Sequence, residues 1–323
     1  MISTRLTRLF DINHPIISAP MALTSGGALA AAVTNAGGLG LLGGGYAGVL
    51  GGEPDLDEEL RKAGNAEIGI GFITWALEQR PEMLDWALEK NPVSLFLSFG
   101  DPVPWATKAR DAGIKVICQV QSLDGAKQAI EAGASVVVAQ GGEAGGHGGK
   151  RGTMNFVAEV SDLLAQRSPE TVLVAAGGIG DGRGLAAALS LGADGVVMGS
   201  RFWAADEALT PQCAIDRAQA ASGDETIQTQ TIDAIRGVPW PRDYFYRMLK
   251  NPLAEEWQGR EEEAFQRFGE LREEYDSARA AADFDRIAIV VGEVAGLISE
   301  RKPARDIVLE TVQQAENILK RNA

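Results

Sequence analysis

Eight short apolar runs, interleaved with helix-like stretches, restrict this chain more than any other feature. They fall at 16–21, 39–42, 68–74, 93–99, 116–121, 136–140, 172–176 and 196–198. Most are near-continuous rather than alternating, as parallel strands buried on both faces are. Helix-like segments lie between them at 28–35, 56–62, 81–90, 105–112, 123–132, 156–166 and 184–191. Ala36-Gly37, Ala112-Gly113, Ala132-Gly133 and Gly192-Ala193 each stand just before a run. Each reads as a helix ending at a glycine, followed by a short turn into a strand. Eight such units predict a (β/α)₈ TIM barrel over 1–202; an open doubly wound sheet is the alternative.

A chain of 323 residues has room for more than the barrel. From 203 to 290 it is polar and reads as largely helical, with Trp240, Tyr244, Phe245, Tyr246 and Trp257 scattered through it. This segment is expected to form a helical lobe over the barrel mouth, inserted after the eighth strand. Residues 291–323 are expected to return to the barrel wall through an amphipathic helix at 306–319, with Ile307, Val308, Val312, Ala315 and Ile318 on one face.

The formal net charge of −14 argues against nucleic acid and anionic membrane as partners. Cys118 and Cys213 are the only cysteines and form no metal-ligand cluster, so no metal is expected. Without a signal-like or membrane-length apolar segment, the expected location is cytoplasmic.

In a TIM barrel the site lies at the C-terminal ends of the strands. The sixth run opens into Gly141-Gly142-Glu143-Ala144-Gly145-Gly146-His147-Gly148-Gly149. Glycine lets backbone approach a ligand closely, and an imidazole exchanges protons near neutral pH. The first run ends Ala19-Pro20-Met21, where proline turns the backbone across the mouth and methionine offers a soft surface to a flat ring. The seventh ends Gly177-Gly178 and the eighth Met198-Gly199-Ser200. Glycine loops at these two positions form the usual phosphate site of the fold. The dinucleotide fingerprint fails, because its third glycine would fall on Arg183. Glu143 could orient a ligand hydroxyl or face solvent. Asp101 and Asp181 read as helix caps, and His14 as a structural residue at the far end of the barrel.

These motifs together resemble a family. Pro15-Ile16-Ile17, Ala19-Pro20-Met21, Asn35-Ala36-Gly37-Gly38-Leu39-Gly40, 140–147, 176–184 and 192–202 are similar to nitronate monooxygenase, formerly called 2-nitropropane dioxygenase. The likeness covers roughly 5–205. It implies an FMN-dependent oxidoreductase that oxidises alkyl nitronates with O2 to carbonyl compounds and nitrite. It implies that Ala19, Pro20 and Met21 line the flavin ring and that Gln119, Gln140 and Gly145 contact FMN. Gly177, Gly178, Val197, Met198, Gly199 and Ser200 would hold the phosphate, and His147 would be the catalytic base. Many relatives carry asparagine at the end of the third strand. This chain has Gly69-Ile70-Gly71-Phe72, which leaves any flavin contact at Gly71 to backbone. The expected partners are a small-molecule substrate, nitronate or other small electron donor or acceptor, and O2; a homodimer stays open. Alternatives are an FMN-dependent enoyl-acyl-carrier-protein reductase, an NAD(P)H:quinone reductase, a non-catalytic flavin module, and a flavin-free barrel acting on a phosphorylated metabolite.

Overall fold

A computed structural model describes residues 2–50 and 53–321. Its strands, in chain order, are β1 (Ile16–Ser18), β2 (Leu41–Gly45), β3 (Gly69–Ile73), β4 (Ser94–Ser98), β5 (Lys115–Val120), β6 (Val136–Gln140), β7 (Gly146–Gly148), β8 (Val172–Ala176), β9 (Val196–Met198), β10 (Thr226–Thr229) and β11 (Phe245–Leu249). Eight form one parallel sheet in the order β1-β9-β8-β6-β5-β4-β3-β2. Its two edges meet through a bridge between Ile17 and Leu39. There Ser18 N–H donates to the Leu39 carbonyl at 3.0 Å, and Leu39 N–H to that of Ile16 at 2.9 Å. The sheet is therefore a TIM barrel and not an open layer.

All eight apolar runs overlap a barrel strand, some with shifted ends. The first stops at Ser18, before Pro20, which has no N–H for the ladder. The second starts later and runs on to Gly45 through an irregularity at Gly43/Gly45. The turn glycines Gly37, Gly113, Gly133 and Gly192 have φ of +92°, +78°, +70° and +96°. A side chain at these left-handed positions would be strained, so each glycine ends its helix.

Strand residues alternate between two apolar layers. Ile17, Leu41, Phe96, Ile117, Val138, Val174 and Val197 fill the barrel interior, with Leu6 packed among them. Ile16, Leu42, Ile70, Leu95, Cys118, Val137, Ala175 and Met198 face the surrounding helices. The final helix, Ala304–Arg321, joins that outer layer through Ile307, Val308, Val312 and Ala315. It lies so close to the helix Gly182–Ser190 that a Cβ on Gly182 would sit 2.4 Å from the Thr311 carbonyl oxygen.

The segment 203–290 is not purely helical. β10 and β11 pair antiparallel, and β11 also pairs antiparallel with β7, setting Tyr246 opposite His147. Period-two alternation explains β11, where Tyr246 and Met248 are buried beside half-buried Phe245 and Arg247. Helices surround this sheet on a separate core built on Ile232, Met248, Trp257, Leu271 and Tyr275. Among the described residues, no helix is long and apolar enough to cross a membrane.

Candidate active site

A cavity of about 300 Å³ opens at the C-terminal ends of the barrel strands. Of the residues singled out in the sequence, Ala19, Pro20, Met21, Gln119, Gln140, Gly145, His147, Gly177, Gly178, Val197, Gly199 and Ser200 line it. The structure leaves two out. Met198 alternates outward into the layer between strands and helices and is fully buried there. Gly71 lies behind Pro20: a Cβ on Gly71 would fall 2.5 Å from the Pro20 ring. Gly71 makes room for the proline that lines the cavity and does not line it itself.

At the corner of the mouth formed by the loops after β8 and β9, the N–H groups of Gly178, Gly199 and Ser200 take no acceptor among the described residues. Gly178 has φ +70°, a conformation only glycine adopts readily. Ser200 Oγ accepts the N–H of Gly292 at 2.9 Å, which leaves its own proton free to donate. These are neutral donors. Arg183 is turned to Asp181, and Arg201 is buried. Unpaired N–H groups beside an apolar floor of Ala19, Met21 and Val197 fit an anionic group carried on a flat ring.

Glu143 lines the cavity and also holds the end of a helix. Its carboxylate accepts the N–H of Thr153 at 3.0 Å and the Thr153 hydroxyl at 2.7 Å. Thr153 is the first residue of the helix Thr153–Arg167, whose preceding Gly152 offers no side-chain cap, so Glu143 satisfies that end. Asp181 does cap its helix, accepting from Arg183 and Gly184, and Asp101 accepts the N–H of Val103.

His147 sits on β7 and is held from all sides. The buried Gln140 amide accepts from Gln121 Nε2 at 2.8 Å and donates to the His147 carbonyl at 3.2 Å. The Trp240 ring stacks on the imidazole at 3.4 Å and 11°. Phe99 and Tyr246 approach from other sides, with centroids at 6.3 and 4.7 Å. Phe99 has φ +67°, the unfavourable left-handed conformation, just after β4. His147 Nε2 lies 2.9 Å from Oδ2 of Asp233, and both side chains are 6% exposed.

Asp233 belongs to the short helix Thr231–Arg236, which also brings Arg236 to the cavity. The Arg236 guanidinium makes no hydrogen bond or ion pair to any described residue. Tyr46 lines the same wall and accepts from Trp240 Nε1 at 3.1 Å; burial, then the nearby Asp233, pushes its phenol well above the usual range. The segment at 290–294 closes the remaining side. Gly292 there packs so tightly on the His147 loop that a Cβ on Gly145 would meet its nitrogen at 2.5 Å. Sequence reasoning missed Tyr46, Phe99, Asp233, Arg236, Trp240, Tyr246 and Val290. Trp240 and Tyr246 were noticed in the sequence, but nothing local linked them to a histidine more than ninety positions earlier.

Fold and site define a TIM barrel whose strand-end cavity is walled in part by the segment that follows β9. The family profile described as nitronate monooxygenase matches residues 3–70 and 73–314. The chain is 38% identical to nitronate monooxygenase npaC of Metarhizium robertsii, over 94% of this chain and 91% of that one. It is 33% identical to a nitronate monooxygenase of Neurospora crassa, over 96% and 91%. Its structure matches that of FabK from Thermotoga maritima with a TM-score of 0.83 and 32% identity, covering 100% and 99% of the two chains. The chain belongs to the nitronate monooxygenase family, and is thereby a flavin-dependent oxidoreductase.

Proposed function

We propose that the cavity binds FMN and that the protein oxidises alkyl nitronates with O2 to carbonyl compounds and nitrite. One observation carries this reading: unpaired backbone donors, an imidazole and an unpaired guanidinium all face one cavity. Gly178, Gly199 and Ser200 would hold the phosphate, while Ala19, Pro20, Met21 and Val197 would pack on the ring system. The flavin, when bound, accepts electrons from the substrate and passes them to oxygen.

The chain's own residues bind and handle protons. Arg236 sets a positive charge against the nitronate oxygens. His147 takes the α-proton of a neutral nitroalkane: the C–H bond breaks, its electron pair enters the C=N bond of the nitronate, and the ring becomes an imidazolium. Trp240 covers one face of that ring and keeps water from it.

Purified protein supplied with FMN should show a bound-flavin spectrum, and propyl nitronate added without oxygen should bleach it. Failure to bind FMN at micromolar concentration would remove the cofactor assignment. Bound flavin that propyl nitronate leaves oxidised would remove the substrate assignment. A second reading is flavin reduction by NADH or NADPH. Anaerobic bleaching by either nucleotide, and not by nitronate, would select it.

A further inference from the structure

We infer that Asp233 is the positioning residue of His147, and that it makes Nδ1, not Nε2, the ring nitrogen that serves the substrate. The inference rests on the proposed role of His147 and adds which of its atoms acts and what fixes it.

A carboxylate can only accept hydrogen bonds. Asp233 Oδ2 lies 2.9 Å from Nε2 in a buried setting, so Nε2 carries the proton of the neutral ring. Nδ1 then holds the lone pair. Nδ1 has no partner among the described residues and is not among the buried unpaired atoms, so it is accessible from the cavity that His147 lines. Asp233 Oδ1, by contrast, is buried and unpaired. A half-satisfied buried carboxylate is costly and needs a reason to be kept.

The surroundings make the pair directional. Trp240 fixes the plane of the imidazole and Gln140 its backbone. Ring rotation that exchanged the two nitrogens would leave Asp233 without its donor. When Nδ1 takes the α-proton, the imidazolium keeps its Nε2–H bond to Asp233, and the carboxylate balances the new charge. Asp233 never meets the substrate in this arrangement. It acts through His147, from a helix 86 positions downstream.

The chain has only two histidines, so the test can be read directly. In ¹⁵N-histidine-labelled protein, with His14→Gln used for assignment, His147 should appear as the Nε2–H tautomer with a bare Nδ1. Asp233→Ala should abolish that single tautomer, and Asp233→Asn should shift the proton toward Nδ1 by offering its amide N–H to Nε2. With FMN retained, both variants should lose about ten- to a hundredfold in kcat with a neutral nitroalkane. Turnover of the preformed nitronate should change little. A wild-type His147 protonated on Nδ1, or an Nε2–H tautomer unchanged in both variants, would overturn the inference. The tautomer is read without substrate, so it stands even if nitronates prove not to be oxidised; lost nitronate oxidation in the wild type would count against the proposed reaction alone.

Discussion

Gly199 and Gly178 are both proposed to hold the phosphate, yet substitutions at the two should behave differently. Gly178 has φ +70°, so any side chain there strains the backbone. Gly199 has an ordinary φ of −100°, and a Cβ would meet only Ala19 at 3.6 Å and Met21 at 3.7 Å. Gly199→Val should therefore keep the fold and the melting temperature while losing FMN, because the branched side chain fills the approach to the N–H donors. Equilibrium dialysis with FMN checks this; normal flavin retention would put the phosphate elsewhere. Arg236 makes a second contrast. Arg236→Met keeps the side chain's length and removes its charge. KM for a nitronate anion should rise about tenfold or more, and KM for the neutral nitroalkane much less, as expected for a charged hydrogen bond worth about 1.5–3 kcal/mol. Equal KM changes for both substrates would leave Arg236 without a role in anion recognition.

At the scale of elements, the barrel strands were legible because parallel strands buried on both faces leave continuous apolar runs. β7 was not. Gly146-His147-Gly148 has no apolar pattern, and it is a strand only because β11, about a hundred residues later, pairs with it. Non-local pairing leaves no local signature. β10 and β11 escaped for a related reason: two strands of four and five residues inside a polar, helix-rich stretch. The glycine turns were legible because their signal is conformational and local. The assignment of His14 to the far end also followed from its place just before β1. Burial lowers its pKa from 6.5, with Glu316 pulling the other way, and its Nδ1 is buried without a partner. A folded-state pKa below the unfolded value means that the unfolded chain takes the proton first. The resulting stability is present above about pH 6.5 and is lost as pH falls toward the folded pKa. His14→Gln should flatten the fall in melting temperature between pH 7 and 5.5 or so, relative to the wild type, without changing activity. Parallel curves for the two proteins would deny His14 this coupling.

For the whole molecule, the sequence located the floor of the site and expected 203–290 over its mouth, but missed the residues that form the roof. Twelve of the fourteen residues singled out line one cavity, because strand ends and glycine loops are adjacent in any TIM barrel. The exceptions, Met198 and Gly71, were decided by strand alternation and by Pro20, which motif matching does not resolve. The roof comes from 231–246 and 290–294, whose placement depends on packing between distant segments. It is the roof that gives His147 its partner and its stacked indole, so the barrel alone is an incomplete enzyme. The most direct test of a flavin cavity with His147 as its proton-handling group is His147→Ala, assayed with nitroethane and with preformed ethyl nitronate at equal flavin occupancy. The rate with the neutral nitroalkane should fall by about two to four orders of magnitude, and the rate with the nitronate far less. An equal fall with both substrates, or no fall with either, would contradict that role.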